Sequence, residues 1–167
     1  RKTKSQEESD KYWTIRRESF NLLRKNLHGS RTAPFVADVV VRPADMPTFL
    51  PRMRQVLDKY KLVYTIAGHA GNGNFHIIPL MDLREESERA KLIPMAQEFY
   101  ALVAEYKGTT TGEHNDGIVR TPFLHTMYSP EILALFKEVK NIFDPQNIFN
   151  PGKKVDGTLD DFKKWLA

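Results

Sequence analysis

At 167 residues the chain is long enough for one domain with a sizeable core, and 41% hydrophobic with 28% charged residues is an ordinary globular composition. The absence of cysteine excludes disulfides, thiolate catalysis and iron–sulfur ligation, and no apolar run nears the roughly 20 residues of a membrane-spanning helix. The 25 Lys and Arg exceed the 21 Asp and Glu by only 4, spread along the chain, and no basic stripe with interleaved aromatics calls for nucleic acid.

The first residue is Arg rather than Met, which points to a processed chain or a piece of a longer one. No signal peptide is visible, which suits a cytoplasmic protein, and the small positive excess allows a peripheral contact with anionic lipid. Residues 1–10 read as a polar lead-in to a single domain over 11–167. An amphipathic helix is expected over about 11–28, with Trp13, Phe20, Leu23 and Leu27 on one stripe and Gly29-Ser30 ending it. Arg16 shares that stripe, so it must snorkel, pair with an acid, or anchor an anionic ligand.

Phe35–Val41 is a β-rich run. Asp45 then looks like the N-cap of a helix through about Tyr60, with Pro47 in its first turn and Pro51 a possible kink. Residues 62–67 and 75–80 read as strands of a hairpin, and 85–106 as a long helix with Leu92, Met95, Phe99, Leu102 and Tyr106 at helical spacing. Residues 107–113 suggest a fourth strand, Ser129-Pro130-Glu131 opens a helix to about Phe143, and a short last helix falls at 159–166. The class expected is α+β: a ferredoxin-like antiparallel sheet (βαββαβ) with helices on one face and extra N- and C-terminal helices.

The chemistry concentrates in Gly68-His69-Ala70-Gly71-Asn72-Gly73-Asn74-Phe75-His76 and in Gly112-Glu113-His114. On one continuous strand His69 and His76 would face opposite ways; a hairpin loop, with Gly71 and Gly73 free to adopt positive φ, lets both turn to one site. Two imidazoles and the Glu113 carboxylate fit a divalent metal such as Zn, Mn or Fe, and His114 is left as an acid/base. The competing view is a Gly-rich hairpin with incidental histidines and a surface His114. His28 and His125 lack such company and read as structural. No phosphate-binding loop is present, so any redox cofactor must be held elsewhere.

Gly68-His69-x-Gly71-x-Gly73-Asn74-x-His76, Gly112-Glu113-His114 and Phe143-Asp144-Pro145-x-x-x-x-Asn150-Pro151-Gly152-Lys153 together resemble the C-terminal domain of FAD-linked oxidases. That is the vanillyl-alcohol-oxidase-like superfamily, in its D-lactate dehydrogenase and glycolate oxidase subunit branch. The resemblance covers about residues 11–155. It implies a substrate-binding cap to an N-terminal FAD-binding domain, in an enzyme that oxidises a small 2-hydroxy acid and passes electrons to a quinone or iron–sulfur protein. His69, His76 and Glu113 match its metal ligands, His114 its base, Arg16 its carboxylate-binding arginine, and Asn150 the segment that approaches the flavin.

The chain departs from that pattern at Asn115, often Gly, at Asn72, often Asp, and at Ile78, often Asn. Relatives acting on dicarboxylic hydroxy acids carry Thr near Phe20 and Lys near Val36, so the apolar residues here argue against a 2-hydroxyglutarate-type substrate. Outside this family, a metal-dependent hydrolase built on His69, His76 and Glu113, or a non-catalytic metal- or partner-binding module, would carry the same residues.

Overall fold

A computed structural model describes residues 3–25 and 31–165, without the side chains of residues 20, 23 and 24. Helix α1 spans Gln6–Lys25, so it begins inside the expected polar lead-in. The Ser5 hydroxyl accepts a hydrogen bond from the Glu8 amide at 3.1 Å, and Glu7 and Glu8 place negative charge in the first turn. Trp13, on the expected core stripe, is exposed, and Leu27 and His28 lie outside the described residues.

Strand β4 (Asn74–Met81) is the centre of the sheet. Strand β3 (Val63–Ala67) runs antiparallel along one edge, from Val63 opposite Leu80 to Ala67 opposite His76. On the other edge lie β1 (Arg31–Thr32), unforeseen in the sequence, and β2 (Val39–Val40), paired with the two ends of β4. Thr109 bridges Val40 from outside, so the order Thr109, β2, β4, β3 is that of a ferredoxin-like sheet. The class is α+β, as expected.

Two strands are shorter than the sequence suggests. Phe35–Val41 is interrupted at Asp38, whose φ of 71° breaks extended backbone. The strand expected over 107–113 shrinks to the single bridge at Thr109, because the amides of 112–114 turn to the Asp38 carboxylate instead of a ladder.

Helices α2 (Met46–Lys59) and α3 (Glu86–Glu105) cover one face. Phe49, Met53 and Leu57 from α2 and Leu92, Met95, Phe99 and Val103 from α3 meet Phe75, Ile77 and Met81 of β4 in one core. The alternation of a strand sends His76 and Ile78 to the opposite face. Pro47 and Pro51 are both accommodated in α2. Asp45 and Ser129 precede α2 and α5 (Pro130–Phe143) without capping an amide through their side chains; Asp45 accepts from Arg42 Nε at 2.7 Å instead. Helix α4 spans Gly117–Arg120, and α6 (Leu159–Lys164) starts with a reciprocal Thr158–Asp161 capping box. Among the described residues no helix is long and apolar enough to cross a membrane.

Candidate active site

The face of the sheet turned away from α2 and α3 carries a cleft of about 600 Å³, lined by Arg16, Asp38, His69, His76, Glu113 and His114 among others. The β3–β4 hairpin brings the two histidines together, as the sequence suggests. Residues Ala70–Asn72 form a tight turn, and the Asn74 amide donates to the His69 carbonyl at 3.3 Å. The ring centroids of His69 and His76 stand 6.1 Å apart. Of the two loop glycines, Gly73 takes the positive φ, at 69°, and a Cβ there would meet the Val41 carbonyl oxygen at 1.8 Å. Gly71 has neither restriction.

Three imidazoles converge on one carboxylate oxygen. Glu113 Oε1 lies 2.8 Å from His76 Nε2, 3.5 Å from His69 Nε2 and 3.5 Å from His114 Nε2. His76 is the anchored member, its side chain 15% exposed against 56% for His69 and 62% for His114. The sequence-predicted ligands and the sequence-predicted base therefore share one small volume. Imidazole nitrogens and a carboxylate oxygen on a cleft wall are a donor set that fits a divalent transition ion.

Asp38 is the residue that sequence reasoning missed. It is fully buried beneath the cluster. Its Oδ2 accepts the amides of Gly112 at 2.9 Å, Glu113 at 3.0 Å and His114 at 2.8 Å, and the Thr111 hydroxyl at 3.0 Å. Its Oδ1 accepts from Asn74 Nδ2 at 3.0 Å. Burial works against the charge, but the amides of His114 and Glu113, the Asn74 side chain and the Gly112 amide outweigh it and hold the carboxyl down at about 2. One carboxylate oxygen of Asp38 lies within 4.8 Å of donor atoms on His76, Glu113 and His114. Both its oxygens are engaged with amides, which leaves His69, His76, Glu113 and His114 as the groups free to face a ligand. The available signal was a lone acid in an apolar run, a position that demands a partner.

Arg16 reaches the cleft from exposed α1, so it joins the predicted histidines and Glu113 in lining one cavity. Asn150 does not line the cleft; it sits on an exposed turn with φ 49°, its side-chain oxygen accepting from Lys153 Nζ at 3.1 Å. His125 is bound to the Pro122 carbonyl at 2.9 Å, in keeping with a structural role. Asn115 adopts φ 63°, a left-handed backbone that Asn tolerates better than most side chains. Ile78 lines the cleft, but Val36 is buried in the core and Phe20 has no described side chain. The apolar character of Val36 thus carries no information about a second carboxylate. A smaller hollow of about 380 Å³ beside α5 has its cations already paired, Lys137 with Asp156 and Lys154 with Asp116.

Residues 1–154 match the family described as FAD linked oxidases, C-terminal domain. The chain belongs to that family. It is 34% identical over 142 residues to D-2-hydroxyglutarate dehydrogenase of Pseudomonas putida, a match covering 84% of this chain and 14% of that protein. Glycolate oxidase subunit GlcD of Bacillus subtilis is 32% identical over 70% of this chain and 25% of its own length. D-lactate dehydrogenase of Archaeoglobus fulgidus is 32% identical over 72% of this chain and 26% of its own. The chain therefore spans only 14% to 26% of the length of these three relatives. These relatives are oxidoreductases of 2-hydroxy acids, and the family is FAD-linked.

Proposed function

We propose that this chain is the substrate-binding cap of a larger FAD-dependent 2-hydroxy acid dehydrogenase of the D-lactate or glycolate type. The observation that carries this is the convergence of His69, His76 and His114 on Glu113 Oε1, in a cleft that also holds Arg16. The guanidinium of Arg16 binds the substrate carboxylate. His69, His76 and Glu113 would hold a divalent ion, which supplies positive charge beside the substrate's oxygens. His114 takes the proton of the 2-hydroxyl as the C2–H bond gives up its hydride and the 2-oxo acid forms. Bound FAD supplies the two-electron acceptor, held mainly by an N-terminal FAD-binding domain, with Asn150 on the segment that approaches it.

That partner domain has support in α5, whose Ile132, Leu135, Val139 and Ile142 are exposed apolar residues at helical spacing, continued by Phe143, Ile148 and Phe149. Electrons leave the flavin for a quinone or an iron–sulfur protein, and the assembly works in the cytoplasm or at the membrane surface. The test is to purify the full-length parent, record its flavin spectrum, and screen glycolate, D-lactate and D-2-hydroxyglutarate for bleaching. Bleaching by one or more is expected. Tight FAD binding and dye reduction by these 167 residues alone would overturn the assignment to a cap.

A further inference from the structure

We infer that Asp38 and Arg120 are positioning residues that together clamp the turn bearing Glu113 and His114. The inference rests on the function proposed above and adds what holds its two key side chains in place.

The turn needs such a device. Residues 111–116 belong to no helix or strand, and Glu113 and His114 are both exposed. Left to itself, a segment of this kind would spread two functional side chains over many positions. Asp38 grips it from the donor side: one carboxylate oxygen collects the three successive amides of Gly112, Glu113 and His114 at 2.8–3.0 Å. Arg120 grips it from the acceptor side. Its Nε donates to the Asn115 carbonyl at 3.1 Å, its Nη2 donates to the same oxygen, and its Nη1 donates to the Ala37 carbonyl at 3.1 Å. The guanidinium thus ties the end of the turn to the residue that precedes Asp38. Both clamp residues are buried, and both hold the turn at residues 112–115 by its main chain, which leaves the Glu113 and His114 side chains to face the cleft.

Sequence contains a further sign of the same arrangement. A Cβ on Gly112 would stand 2.7 Å from Val40 Cγ2, 2.8 Å from Asn74 Nδ2 and 3.2 Å from Asp38 Oδ1, so only glycine lets the turn close on the carboxylate. The left-handed φ of Asp38, 71°, swings its side chain out of the strand toward those amides.

The test uses the full-length flavin-bound parent. Asp38→Asn keeps the shape but removes the negative charge and one of the two acceptor oxygens. Met53→Ala, on the buried face of α2, is a destabilised control, and Arg120→Lys keeps the charge without the fork. Asp38→Asn is expected to retain flavin, to lower kcat about 100-fold with KM within about 3-fold, and to weaken Mn²⁺ binding at least 10-fold, as loss of a supporting contact does. Arg120→Lys should move kcat in the same direction by less. Met53→Ala should lower Tm while keeping kcat per bound flavin.

A kcat for Asp38→Asn within about 3-fold of wild type, or equal to that of Met53→Ala when scaled to bound flavin, overturns the clamp. If the wild-type parent oxidises no 2-hydroxy acid, the proposed function falls, and Mn²⁺ binding decides the clamp separately. Equal Mn²⁺ affinity in wild type and Asp38→Asn, or none in either, then leaves Asp38 a folding residue only.

Discussion

His76 and Glu113 form the tightest contact of the cluster, at 2.8 Å, and His76 is the least exposed of the three imidazoles. A ligand already fixed by packing loses less freedom on binding an ion than one standing in solvent. His76→Ala should therefore weaken Zn²⁺ or Mn²⁺ binding more than His69→Ala, with Glu113→Ala weakening it at least as much as His76→Ala; calorimetric titration of the chain gives the order. Equal losses for the two histidines would show that burial does not rank them. Asp38 makes a different prediction. Its carboxyl is held at about 2 against an ordinary 3.8, so its ionised form is favoured in the folded state. The resulting stability is fully present above pH ~4 and is lost as pH falls toward ~2, and it amounts to roughly 1–2 kcal/mol after allowance for solvent screening. Denaturant unfolding between pH 5 and 2, at ~pH 0.5 intervals, should show this decline, and Asp38→Asn should flatten it. An unchanged slope in that variant would assign the acid sensitivity to other carboxylates.

At the level of elements, the hairpin was legible because its signals are local: two β-rich runs, a Gly-rich loop, and a histidine at each end. The helices were legible from local signals too: apolar spacing over 86–105, and the opening residues Asp45 with Pro47 and Ser129-Pro130-Glu131 for 46–59 and 130–143. Ser5 and Glu8 stand three apart, a helix-start signal that sets the beginning of α1 ahead of its apolar stripe. The turn over 110–116 was not legible. Gly-Thr-Thr-Thr-Gly has strand composition, and the carboxylate that bends it away lies 74–76 residues earlier in the chain, beyond any spacing rule. Packing beneath the sheet follows the readable pattern and can be tested there. Phe49 is fully buried, 5.3 Å from the Tyr106 ring and 6.1 Å from that of Phe75, at the junction of α2, α3 and β4. Phe49→Ala should cost about 3–5 kcal/mol, read by chemical denaturation. A loss below about 1 kcal/mol would mean that α2 does not rest on this residue.

Across the whole molecule, the two faces of the sheet have unequal fates. One is sealed by α2 and α3; the other opens into the cleft, to which α1 contributes Arg16 and α4 contributes Arg120. Helix α5 has no buried residue, although its apolar positions recur at the spacing of a packed helix. Such a face costs little to alter where it meets water and a great deal where it meets protein. On the proposed assignment the flavin-binding domain covers it. Leu135→Glu with Ile142→Glu should then change the stability of these 167 residues by no more than about 0.5 kcal/mol per site. The same pair, placed in a cap expressed separately from the flavin-binding domain, should weaken their association at least 10-fold by sedimentation or calorimetry, because two buried charges would each face an apolar partner. Unchanged association would locate the domain interface elsewhere, and a collapse of the isolated chain would show that α5 is packed within the cap itself.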